Sequence, residues 1–101
     1  MVDYELNELR REFLDEAREK VDEMQSALER AQDREALERL AYLAHQLKGS
    51  GGSYGYQRIS EDAAQLERAI ETGKNGNGTS ELARYVGNLR SEIDRAATEL
   101  A

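Results

Sequence analysis

An all-α chain, folded as an antiparallel up-down four-helix bundle, is what this sequence predicts, on three observations. Ala, Leu, Glu, Arg and Gln dominate, and all are good helix formers. Proline is absent, so no position breaks a helix through a missing N–H. Four segments carry apolar residues at steps of three and four, with turn chemistry between them. With 101 residues, the chain reads as a single domain over 1–101 with one modest core.

The first segment runs from about Glu5 to Arg30. Leu6, Leu9, Phe13, Ala17, Val21, Met24, Leu28 and Ala31 form its apolar stripe, with Glu and Arg opposite. Asp33 is placed to cap the second helix, which carries Leu37, Leu40, Ala44, Leu47 and Gly51 on one face. That helix then meets Gly49 to Gly55, the least helix-friendly stretch in the chain. The third segment has Ile59, Ala63, Leu66 and Ile70 and stops at Gly73, a residue suited to the position after a helix. A glycine-rich connector, Gly73 to Gly78, leads to Thr79 or Ser80 as the cap of a fourth helix bearing Leu82, Val86, Leu89, Ile93, Ala97 and Leu100. Short connections between four such helices make the up-down bundle the natural architecture.

Composition removes several functions. Without cysteine there are no disulfides or thiolate metal sites, and one histidine does not make a zinc site. A net charge of −7 argues against nucleic-acid binding and serves solubility. No apolar run approaches the roughly 20 residues of a membrane span, and no signal-peptide pattern opens the chain, so the expectation is a cytoplasmic protein with no membrane role. No outer face is unusually apolar, and a monomer is expected.

The chemistry then centres on His45, the only histidine. At about 100° per residue, the apolar stripe of the second helix centres roughly 120–140° away from it. The imidazole is therefore expected in solvent. Ala41, Lys48, Gly49 and Gly52 share its side of the helix, a strip with few side chains to obstruct an approaching partner. Three helical glycines at 49, 51 and 52 would cost about 3 kcal/mol relative to alanine. One explanation is that they end the helix early, or that Gly51 lets another helix pack close. The other is that the bare strip admits a partner's reactive group, with Lys48 offsetting negative charge on His45. Triads, metal centres and phosphate loops all need residues this chain lacks.

His45-Gln46-Leu47-Lys48-Gly49-Ser50 closely resembles the signature His-x-x-Lys-Gly-Ser/Ala of histidine-containing phosphotransfer domains. Gly55 falls where that family has a glycine between its second and third helices, Arg58 to Glu67 looks like its third helix, and Phe13 to Ala17 looks like its first. The resemblance implies that His45 accepts a phosphoryl group through Nε2, that Lys48 lies near the phosphoryl oxygens and that Gly49 keeps the approach clear. It implies that Glu67 hydrogen-bonds the other ring nitrogen, although Glu67 left in solvent or paired with Arg68 or Lys74 is the plainer alternative. A docking rim of Ala41, Tyr42, Gly49 and Gly52 is implied with them. The chain would be a phosphocarrier without kinase activity and without a cofactor of its own. Its partners would be receiver domains of sensor kinases and response regulators, which supply the aspartyl phosphate and Mg²⁺.

Gly51-Gly52 is richer in glycine than the small residues common there in the family, which leaves the end of the second helix open. Two other functions remain open. The same motif occurs in the N-terminal phosphotransfer domain of chemotaxis-type histidine kinases, whose ATP-binding kinase domain is the donor. A helical adaptor that is never phosphorylated would use the same glycine-lined face.

Overall fold

The computed structural model describes residues 2–73 and 78–100, with the side chains of residues 2–4 and 79 also outside the description. It contains four helices, α1 (Val2–Leu28), α2 (Arg34–Ser53), α3 (Gln57–Thr72) and α4 (Thr79–Leu100), and no strand among the described residues. Each helix packs on the next in sequence, and α4 closes the ring against α1. One core fills the middle, from Leu14, Val21 and Met24 through Leu40, Leu43 and Leu47 to Ile59, Leu66, Val86, Leu89 and Ile93.

Cross-helix polar contacts give the register. Arg18 meets Asp94 at 3.1 Å, and one turn along, Asp22 accepts from Arg90 at 2.6 Å. Glu23 of α1 pairs with Arg39 of α2, while Phe13 stacks on Tyr54 and Tyr56 at the far end of α2, with centroids 4.9 and 5.8 Å apart. These pairs explain a departure from the expected core. By their register the first turns of α1 project past both the α2–α3 connection and the end of α4. Leu6 and Leu9 therefore keep the right helical spacing but lack a surface to bury against, and are 37% and 48% exposed.

The core also takes in residues that a single apolar stripe passes over. Leu14, Ala27, Ala36, Leu43, Ala69 and Ala96 are all buried. A helix in a ring of four touches two neighbours, so its buried arc is wider than a two-residue seam. Ala31 and Leu37, by contrast, are only half-buried near the α1–α2 turn.

The helix ends follow local chemistry. Asp33 caps α2, its Oδ1 accepting from the Glu35 N–H at 3.0 Å. Helix α4 begins at Thr79 itself, with the Gly78 carbonyl accepting from Glu81 N–H at 3.2 Å, so neither Thr79 nor Ser80 stands before it. Gly73 follows α3 with a negative φ of −94°, and residues 74–77 of the connector lie outside the described set.

The end of α2 matters most for the site. Gly49, Gly51 and Gly52 are all helical, and α2 stops only at Ser53. Tyr56 N–H then reaches back to the Gly51 carbonyl at 2.7 Å and Gly55 N–H to the Gly52 carbonyl at 3.2 Å. This is the double closure that a left-handed residue permits, and Gly55 supplies it with φ of +85°. Gly51 has a packing role. A Cβ there would lie 3.0 Å from Ser60 N and 3.3 Å from Ile59 Cγ2 and Tyr56 O, so its absence lets α3 approach. At Gly49 a Cβ would meet nothing within 4 Å. Gly51→Ala is expected to destabilise the fold by about 1–2 kcal/mol through overpacking, whereas Gly49→Ala adds about 0.5–1 kcal/mol of helix propensity. Urea unfolding of the two variants checks the contrast.

Candidate functional site

His45 sits mid-way along the described turns of α2, between Ala44, which is buried, and Gln46. The core takes Leu43, Ala44 and Leu47, which leaves the imidazole on the outer side with its side chain 65% exposed. Across the seam on α3, Leu66 is fully buried and turns the next residue, Glu67, to the edge facing α2. Glu67 Oε2 lies 3.0 Å from His45 Nδ1, and Oε1 accepts from Lys48 Nζ at 3.2 Å. One carboxylate thus joins residues i and i+3 of the neighbouring helix. Among the described residues no ion pair joins Arg68 to Glu67, and Lys74 lies outside the described residues.

The Glu67 side chain is only 20% exposed. Burial raises its carboxyl, but the hydrogen bonds from Lys48 and from His45, with the charges behind them, outweigh burial and hold it below the ordinary value of 4.5. It is therefore a carboxylate at neutral pH, and a carboxylate can only accept. The ring nitrogen facing it must be the one that carries hydrogen. In the neutral imidazole this leaves Nε2 with its lone pair, directed away from Glu67.

The surroundings of that nitrogen are open. Gly49 and Gly52 are exposed on the same side of α2, Ala41 is half-buried, and Tyr42 is 50% exposed. On the α1 side an open groove of about 460 Å³ runs past His45, lined also by Lys20, Gln46, Gly49 and Ser53. Gln46 Nε2 donates to the Tyr42 hydroxyl at 2.8 Å, and the Arg39 guanidinium stands 5.3 Å from the Tyr42 ring centroid while it pairs with Glu23 of α1. These contacts pin Tyr42 beside the histidine.

Gln46, Arg39, Lys20 and Ser60 were not among the expected site residues. Gln46 and Arg39 were within reach of sequence reasoning, as the i+4 and i−3 neighbours of Tyr42 on α2. Lys20 and Ser60 join the site through the register between helices, which the pattern of one helix does not carry.

The class defined so far is a small helical domain with one solvent-facing imidazole, tethered at Nδ1, beside an open groove. A family model described as Hpt domain matches residues 8–99, nearly the whole chain. The chain belongs to the Hpt domain family, whose members are the histidine phosphotransfer modules of two-component phosphorelays and act as phosphocarriers rather than kinases. No curated protein and no solved structure matches the chain. No described helix is long and apolar enough to cross a membrane.

Proposed function

We propose that this domain carries a phosphoryl group on Nε2 of His45, exchanging it with aspartates of receiver domains. The observation that carries this reading is the pairing of an exposed imidazole with an ionised carboxylate at Nδ1. The Nε2 lone pair attacks the phosphorus of a receiver's aspartyl phosphate. The N–P bond forms as the P–O bond breaks, and the aspartate leaves as a carboxylate. The ring keeps its Nδ1 hydrogen and takes a positive charge, which Glu67 neutralises across 3.0 Å. Transfer onward reverses these changes.

Such transfer depends on in-line geometry and charge compensation more than on covalent help from the carrier. Lys48 has three N–H donors, so it can keep Glu67 and still turn others to the phosphoryl oxygens. The receiver supplies Mg²⁺. The rim of exposed Tyr42, Gly49 and Gly52 with half-buried Ala41 is where the receiver docks, its reactive carboxylate entering over Gly49, where no Cβ stands in the way. We read the cross-helix pairs as the antiparallel up-down form of the bundle, in which α1 and α4 support α2 and α3 from behind. A monomer in the cytoplasm goes with this reading.

Lys48→Ala is expected to fold normally and to transfer about tenfold more slowly, the loss of one charge-assisted contact to the moving group. Stopped-flow transfer against phosphorylated receivers measures it, and an unchanged rate removes Lys48 from the mechanism. Transfer from a receiver panel with no kinase domain present tests the choice of donor. Phosphorylation seen only with a cognate kinase domain would instead favour the chemotaxis-type arrangement.

A further inference from the structure

We propose that Ser60, on α3, is a positioning residue for the transfer site, holding the last turns of α2 so that Lys48 and Gly49 keep their register with His45. The inference rests on the phosphotransfer reading above and adds to it a residue outside the family motif. Three observations meet at Ser60. Its hydroxyl donates to the Lys48 backbone carbonyl at 2.7 Å. Its own N–H donates to Tyr56 O at 3.1 Å, and that same nitrogen is the atom a Cβ at Gly51 would strike. Its Oγ lies 3.7 Å from where a Cβ at Gly52 would stand.

Gly51 thus serves to seat α2 on Ser60, while a side chain at Gly52 would only reach ordinary contact with it, and Ser60 returns a hydrogen bond to the helix that these glycines weaken. A carbonyl oxygen accepts two hydrogen bonds, so the Lys48 carbonyl can take the Ser60 hydroxyl in addition to its helical partner. The bond is made at the residue whose side chain joins Glu67, so one α3 face holds Lys48 by backbone and by ammonium. Without the hydroxyl, Lys48 keeps its helical bond and the fold survives. What is lost is the tether between the glycine-rich turn and α3, in a stretch where glycine gives the backbone the most freedom to open.

The test uses the full chain, with phosphoramidate as a small-molecule phosphoryl donor whose ammonia leaves as the N–P bond to His45 forms. Ser60→Ala is expected to speed amide exchange at Gly52, Ser53 and Tyr54 and to lower the maximal phosphorylation rate, each about fivefold. The donor concentration at half-maximal rate should stay the same. Ser60→Thr, which restores the hydroxyl, should restore both. In a Lys48→Ala background, Ser60→Ala should cost little further rate, because it acts through Lys48. If Lys48→Ala slows the reaction and Ser60→Ala does not, the inference fails while the phosphotransfer reading stands. Fully additive losses, or loss that Ser60→Thr leaves unrepaired, overturn it as well. If His45→Gln labels like the wild type, the phosphotransfer reading itself is wrong.

Discussion

Replacing His45 by glutamine is expected to abolish phosphoryl labelling while leaving the bundle folded. The side chain is 65% exposed and contributes nothing to the core, and glutamine is a good helix former. Its amide can still donate to Glu67, so the expected change in unfolding free energy is below about 1 kcal/mol. The chemistry has no substitute, because the chain has no other histidine. The wild-type label should be lost in acid and survive in alkali, as a phosphoramidate bond requires. Circular dichroism and urea unfolding on the same preparation separate loss of the acceptor from loss of the fold.

Glu67→Ala is expected to slow transfer about 100-fold, with Glu67→Gln between it and the wild type at about tenfold. Alanine removes both the acceptor that selects the Nδ1–H tautomer and the charge that compensates the phosphorylated ring. Glutamine keeps an oxygen for Nδ1–H and gives up only the charge. The stability of the wild type should carry a matching pH signature. A carboxyl held below 4.5 in the folded state adds stability that is complete above 4.5 and disappears as pH falls below it. The gap between wild type and Glu67→Ala, about 1 kcal/mol at neutral pH, should therefore close on acidification. A gap that widened in acid would mean that Glu67 is not held as a carboxylate by Lys48 and His45.

How much of this was legible in the sequence depends on whether a feature belongs to one helix or to two. The helical class, the exposed side of α2 and the Asp33 cap are properties of single helices, and the 3.6-residue period or a capping residue reveals them. Leu6 and Leu9 show the limit of that approach. Their spacing is right for burial, yet no neighbour extends far enough to cover them. Leu14 and Leu43 show the reverse, lying off the main stripe but buried because two neighbours flank each helix.

The glycines illustrate the same division. Their concentration before Gly55 marks a helix end, but only the structure distinguishes Gly55, which needs a positive φ, from Gly51, which needs close packing, and Gly49, which faces open space. Glu67 was singled out by the family resemblance; its place after the core residue Leu66 suits an edge facing α2, but the α3 pattern alone does not choose His45 as its partner. Ser60 carried no signal, because its hydrogen bond exists only once α3 is registered against α2.

The most direct measurement is ¹H–¹⁵N correlation spectroscopy of the His45 ring before and after phosphorylation by a receiver or by phosphoramidate. The account predicts hydrogen on Nδ1 beforehand, then a phosphorus coupled to Nε2 with the Nδ1 hydrogen still in place. Phosphorus on Nδ1, or a ring unchanged while label appears elsewhere in the chain, would contradict it.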